Sequence, residues 1–307
     1  MEENPIIKNI FIDAGGIYGF TICGCLVELD KKGYLDNIEN ILGCSVGSIF
    51  GLYISLGFTV EEMVNLTFNI DVNSLVDIKK NNLINIYKQY GFEKGNKFSN
   101  IIKGIIKHKT GDENFTFAEL FQKYRKNLTI IGSNINKRQH ELFNHQNTPD
   151  MEIWKAVRIS CAFPLIFQPV KYNGDYYLDG GNSHFNTNFF PKKEETICII
   201  LELGNKVRYP IESFEDYIIN MLYLPLKSQK FSDYDAVNCL EFDTRKIDLN
   251  FMDFSISLDT KKDLFKFGRQ ETIYNLPKLL ENLKKLKHNK LKNKKEKTTR
   301  EIGTQTD

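Results

Sequence analysis

A chain of 307 residues fits one large α/β domain, or one such domain with a modest extension. Its 41% hydrophobic and 12% aromatic content is ample for a sizeable core. A formal charge of +2 excludes a protein-wide electrostatic pull on nucleic acid, so no nucleic-acid partner is expected.

In chain order, Ile6 to Ile12 reads as a buried strand ending at Gly15 and Gly16. Phe20, Ile22, Cys23, Leu26, Val27 and Leu29 recur at helical spacing from Gly19 to Leu29, and Lys31, Lys32 and Gly33 close that helix. Ile38 to Leu42 reads as a second strand and Val46 to Leu56 as a buried helix ended by Gly57. The apolar stretch 41–58 is long enough to consider as a membrane span. Its four glycines and three serines, and its division into strand and helix, favour a buried pair of elements instead.

Thr59-Val-Glu-Glu62 and Thr116-Phe-Ala-Glu119 carry the capping-box pattern that starts a helix. Asp71 to Lys109 is expected to form two or three amphipathic helices, an insertion placed as a cap over a site. Leu128 to Ser133 and Arg138 to Phe143 read as strands, Met151 to Ile159 as a helix, Tyr176 to Leu178 as a short strand and Thr196 to Leu203 as an apolar strand. Ile211 to Leu226 and Lys261 to Leu286 have helical period. The alternation of strand and helix over the first sixty residues predicts a parallel sheet with right-handed crossovers. The expected organisation is an α/β domain over 6–203, a helical C-terminal extension over 204–286 and a basic, disordered tail over 287–307.

That tail begins in a charge skew. From Lys278 to Arg300 there are ten Lys or Arg against Glu281 and Glu296. Attraction of the tail to an anionic membrane surface is the functional expectation, and a solvated tail the bland one. The opening Met-Glu-Glu-Asn-Pro shows no basic region before an apolar stretch, so a secretory signal is not expected. The six cysteines form no C-x-x-C pair and read as reduced core residues. No metal site and no cofactor are expected, and the location expected is cytoplasmic or peripheral to a membrane.

Three glycine-rich strings carry the chemistry. Gly43-Cys-Ser45-Val-Gly47 matches G-x-S-x-G, a sharp strand-to-helix turn that exposes a serine hydroxyl at a helix N-terminus. Alone the pattern is weak, and a small-residue packing turn would satisfy it. Asp13-Ala-Gly-Gly16-Ile-Tyr-Gly19 can point successive N–H groups into one small volume. Ala14 breaks the dinucleotide pattern, and no G-K-[ST] follows for a P-loop. Asp179-Gly-Gly181 puts a carboxylate at a strand end, although Asp-Gly is also a common turn pair. A serine nucleophile needs a base. Of His108, His140, His145, His184 and His288, only His184 lies near a motif, too close to Asp179 in sequence for a comfortable orienter–base pair.

Taken in order, the three strings resemble those of the patatin-like phospholipase family: a glycine-rich oxyanion loop, a nucleophile elbow and a D-G-[GA] aspartate. The stretch Ser160-Cys-Ala-Phe-Pro164-Leu-Ile-Phe167-Gln-Pro169 is similar to the segment that precedes that aspartate. The resemblance covers about Ile6 to Leu203. It implies a three-layer α/β/α fold with a mainly parallel sheet, and hydrolysis of lipid acyl esters by a Ser–Asp dyad without metal. Ser45 then corresponds to the nucleophile, Asp179 to the base, and Gly15 and Gly16 to the oxyanion donors, with Gly19, Gly43, Gly47, Gly180 and Gly181 as motif glycines. Tyr18 stands where the family usually places a basic residue and is a candidate substrate contact. A phenol offers one hydrogen bond and no charge, which opens neutral acyl esters beside phospholipids as substrates. It also motivates the alternative of a lipid-binding fold without turnover.

Overall fold

The computed structural model describes residues 5–75, 87–182, 189–190, 192–202, 236–247, 249 and 255–303. The expected helix at 211–226 lies outside the described residues.

Four strands of the main sheet follow the apolar runs. They are β1 (Asn9–Ile12), β2 (Asn40–Cys44), β4 (Asn127–Asn134) and β9 (Thr196–Glu202). β5 (Gln139–Phe143), β7 (Val170–Tyr172), β8 (Asp175–Asp179) and β10 (Cys239–Asp243) complete it. The order is β10-β9-β1-β2-β4-β8-β7, with β5 paired to β4. Every pairing from β10 to β4 is parallel, and those of β5, β7 and β8 are antiparallel.

Strand alternation sends side chains to both faces. Ile10, Ile12, Ile41, Ile130, Ile197 and Ile199 join the larger core, whereas Phe11, Leu42, Cys44, Ile131, Cys198 and Ile200 join a second one behind the sheet. Strands apolar on both faces are what a covered parallel sheet requires. The architecture is thus the α/β arrangement expected, with a central, mostly parallel sheet and a C-terminal helix.

The helices are α1 (Gly19–Asp30), α2 (Val46–Ser55), α3 (Val60–Asn69), α4 (Asn96–Thr110), α5 (Phe117–Tyr124), α6 (Ile153–Ser160) and α7 (Leu258–Gly303). Both capping boxes form: Thr59 and Thr116 each accept from the backbone N–H three residues on, and Glu62 and Glu119 reach back to the cap amides. The stretch 41–58 is β2 and α2, and among the described residues no helix is long and apolar enough to cross a membrane.

Three expectations are corrected. The 71–109 segment is not purely helical: β3 (Gly91–Glu93) pairs in parallel with β6 (Leu165–Phe167), beside α4. Gly91 permits that pairing, because a Cβ there would stand 2.6 Å from the Phe167 carbonyl oxygen. The region after residue 203 is not purely helical either, since β10 extends the sheet edge. Its alternation of buried Leu240 and Phe242 with exposed Glu241 spans only five residues, too short and polar to stand out from sequence. Finally, the tail expected to be disordered from Lys287 is helical to Gly303. Six Lys and two Glu among the seventeen residues from Lys287 to Gly303 are good helix formers.

α7 packs across α1 at close range. A Cβ on Gly24 of α1 would overlap the Phe265 carbonyl oxygen, and one on Gly268 of α7 would overlap that of Thr21. The missing side chains let the two backbones touch, and Arg269 Nε donates to Glu28 Oε1 at 2.6 Å beside them.

Candidate active site

The register explains how two residues 134 positions apart meet. Cys44, the last residue of β2, pairs with Ile131 of β4, and Asp179, the last residue of β8, pairs with Gly132. β5 occupies the other side of β4 over both stretches. β2 and β8 therefore lie on the same side of β4, running toward each other, and their ends abut. Ser45 and Asp179 stand at that junction.

Ser45 adopts φ 50°, ψ −125° between β2 and α2. A non-glycine residue held there stores on the order of 1–3 kcal/mol of strain. Tight packing maintains it: a Cβ on Gly47 would stand 2.6 Å from the Asp13 carbonyl oxygen and closer still to that of Ile12. Gly43 and Gly47 thus let α2 seat against the ends of β1 and β2. The Ser48 hydroxyl donates to the Ser45 carbonyl at 2.6 Å, closing the turn.

The Ser45 hydroxyl donates to Asp179 Oδ2 at 2.7 Å, and Oδ1 accepts from the Gly181 amide at 2.7 Å. Asp179 is 4% exposed. Burial pushes its carboxyl up to about 7, against the opposing pull of the Ser45 and Gly181 hydrogen bonds. Gly180 and Gly181 open the short 3-10 turn that follows.

The glycine loop lies at the neighbouring strand end. Gly15 packs against Leu201 of β9, and Gly16, at φ 52°, opens a 3-10 turn leading to Gly19 and α1. Ala14 Cβ would lie 2.7 Å from a Cβ on Gly181, so this loop and the aspartate turn are in direct contact. Asp13, which begins the loop, is a second buried carboxyl. Burial raises it to about 7, the Ala14 amide opposes that, and nearby Asp179 adds to it. Burial likewise raises the Cys44 and Cys161 thiols far above their ordinary range, which keeps both as neutral thiols beside Ser45.

Tyr18 is not at this junction. It is 3% exposed, and its hydroxyl donates to the Leu249 carbonyl at 2.7 Å. His140 on β5 lies 3.4 Å from the Ser133 hydroxyl, which itself donates to the backbone carbonyl of Asp179. His145 stacks on Phe121 with ring centroids 3.8 Å apart, and His184 lies outside the described residues. Among the described residues, no group of three or more His, Cys, Asp or Glu side chains is placed to hold a metal ion.

Sequence reasoning missed the end of α6. The fully buried Ser160 hydroxyl accepts from the Ser45 amide at 2.9 Å. Two residues on, the Ala162 carbonyl accepts from the Asp179 amide at 3.0 Å. One turn of chain thereby holds both members of the pair. Arg158 anchors that turn: its Nη2 donates to the carbonyls of Lys94 and Gln168 at 2.9 and 3.0 Å, and its guanidinium lies 5.0 Å from the Phe167 ring centre. Burial lowers its pKa to about 10, still leaving it a cation at neutral pH. The only sequence signal was the Ser160–Pro169 stretch as a block, which assigned no role to any one residue.

A strained serine between strand and helix, hydrogen-bonded to a buried carboxylate beside a glycine loop, is similar to the strand-to-helix elbow of α/β hydrolases. Comparison with known proteins narrows this. The family model described as patatin-like phospholipase matches residues 10–190. The chain belongs to that family. It is 32% identical over 292 residues to uncharacterized protein R571 of Acanthamoeba polyphaga mimivirus, covering 89% of this chain and 95% of that one. It is 33% identical over 181 residues to the probable lipid hydrolase 463L of Invertebrate iridescent virus 6, covering 57% of this chain and 59% of that one. Among solved structures, VipD from Legionella pneumophila matches with a TM-score of 0.64 at 15% identity, covering 90% of this chain and 67% of VipD, a likeness of fold alone.

Proposed function

We propose that this protein is a lipid acyl hydrolase that cleaves carboxylic esters with a Ser45–Asp179 dyad. The observation that carries this is the 2.7 Å hydrogen bond from the Ser45 hydroxyl to a buried carboxylate whose pKa is raised to about 7. A base of that strength is matched to proton transfer near neutral pH.

In the first step Ser45 Oγ attacks the ester carbonyl carbon and Asp179 takes its proton. The negative charge that develops on the carbonyl oxygen falls to the Gly15 and Gly16 amides. Losing one such donor typically raises the barrier by about 2.7–4 kcal/mol. Collapse of the tetrahedral species breaks the C–O bond, and Asp179 returns the proton to the departing alcohol. Water, deprotonated by Asp179, then releases the fatty acid and restores Ser45.

The position of Tyr18 bears on the substrate. Its hydroxyl is committed to Leu249, so this loop brings no cation to a head-group phosphate. Neutral acyl esters are therefore substrates of this reading together with phospholipids.

The test is release of p-nitrophenol from medium-chain esters, with labelling by a fluorophosphonate probe. Wild-type protein should form an adduct at Ser45, and Ser45→Ala and Asp179→Asn should each lose turnover. Full activity in Ser45→Ala would refute the mechanism. Folded wild-type protein without an adduct would favour a lipid-binding fold that has lost turnover.

A further inference from the structure

We infer that the sheet edge in front of Ser45 carries a docking rim for an anionic lipid bilayer, formed by Tyr87, Tyr90, Ile135 and Tyr176 with Lys88 and Lys171. The choice of a lipid rests on the hydrolase reading; the rim itself rests on topology and exposure.

The topology puts this rim ahead of the site. Ser45 follows Cys44, which pairs with Ile131, and Ile135 lies four residues further along the same direction of β4. At about 3.3 Å per residue that is about 13 Å beyond the level of Cys44, and about 10 Å beyond that of the nucleophile. β8 enters from the same edge, so Tyr176 precedes Asp179 by three residues and lies outward of it. Along the strand axis Ile135 and Tyr176 therefore lie outward of Ser45 and Asp179.

Three separate chain segments converge here. The Ile135 amide donates to the Tyr176 carbonyl at 2.9 Å, and the Tyr176 amide donates to Asn136 Oδ1 at 2.7 Å. The rings of Tyr90 and Tyr176 meet edge to face with centroids 6.0 Å apart. Gln168 Nε2 donates to Gln89 Oε1 at 2.6 Å, tying the 87–90 segment to the link between β6 and β7. The rim is therefore a fixed surface.

Its side chains are exposed out of proportion to their chemistry. Tyr87 is 88% exposed, Tyr90 59% and Ile135 44%. Single exposed apolar residues are ordinary, but a group drawn from separate segments onto one functional edge marks an interaction surface. Tyrosine, with an apolar ring and a polar tip, suits the boundary between acyl chains and head groups. The charge is also right for an anionic surface. Glu141 and Asp175, the acids beside the rim, are held by Lys137 at 3.0 and 3.3 Å. Lys88 and Lys171 are exposed, and the Lys171 ammonium lies 5.7 Å from the Tyr176 ring centre. Rings that enter the interface and ammonium groups that meet lipid phosphates work together there.

The experiment is vesicle flotation of the full chain, with vesicles of phosphatidylcholine alone or mixed with phosphatidylglycerol. A parallel assay follows a soluble short-chain p-nitrophenyl ester. Wild-type protein is expected to float with the anionic vesicles. Tyr87→Ser/Tyr90→Ser should weaken partition by about tenfold, and Lys88→Glu/Lys171→Glu by about fivefold per lysine on the anionic vesicles. Both variants should keep wild-type turnover of the soluble ester. Absence of flotation by the wild type would overturn the rim, as would unchanged flotation of the tyrosine variant. Loss of flotation only when Lys290, Lys292, Lys294 and Lys295 are reversed would transfer the role to the tail and overturn it too. A wild type that floats as described but never hydrolyses the soluble ester would leave the rim standing and refute the hydrolase reading alone.

Discussion

Replacing Asp179 should stabilise the protein while, on the proposed mechanism, silencing it, and pH should set by how much. The Asp179 carboxyl moves from 3.8 to about 7 because the fold buries it. That is about three units, and at 1.36 kcal/mol per unit the ionised form costs the folded state about 4 kcal/mol. Because the folded pKa is the raised one, the cost is absent below the unfolded value near 4. It grows as pH rises and is complete above about 7. Asn at this position keeps an oxygen for the Gly181 amide and has no proton to lose. Asp179→Asn should therefore gain on wild type by up to about 4 kcal/mol between pH 4 and pH 8. The hydrogen bond from Ser45 to the ionised carboxylate is already contained in the value of about 7, so its loss adds nothing further to the pH-dependent part of the gap. Urea unfolding, followed through the fluorescence of Trp154, the single tryptophan and a residue of α6, measures the difference. A gap between variant and wild type that stays flat from pH 4 to pH 8 would refute the claim that this carboxylate is buried at a cost to the fold. Such a gain beside lost turnover is the trade expected where a site is built from an ill-solvated charge.

Other outcomes follow from the same geometry. With Asp179 as the base, kcat/KM for a soluble ester should rise with pH and reach half its plateau near 7, since only the ionised carboxylate accepts the Ser45 proton. Ser160→Ala should leave the buried Ser45 amide without its acceptor and lower kcat about ten- to hundredfold with little change in KM, and Ser160→Thr, which keeps the hydroxyl, should recover most of that loss. Gly24→Leu should force α7 off α1 and lower stability by about 1–3 kcal/mol or more, read as a fall in melting temperature at every pH tested.

The local signals came from the sequence because they are set by neighbours in the chain. Apolar runs give β1, β2, β4 and β9, helical spacing gives α1 and α2, and the Thr-x-x-Glu strings give the starts of α3 and α5. The glycines around Ser45 announce a tight strand-to-helix turn because few other residues permit its close approach to the end of β1. Ordered strings pointed to Ser45 and Asp179, yet no spacing in the chain could give their separation.

That distance was decided by pairing. β2 and β8 abut on one side of β4, a consequence of long-range register that no local pattern encodes. The same holds for the raised carboxyl of Asp179, which follows from burial among residues remote in sequence, and for Ser160 and Ala162, which hold the Ser45 and Asp179 amides through single hydrogen bonds. Tyr18, by sequence a candidate to face the substrate, is turned into the core by a partner 231 residues away. Periodicity and glycine placement determined what the elements are. Only the packing of those elements decided which side chains share a dry space, and therefore what chemistry they can do.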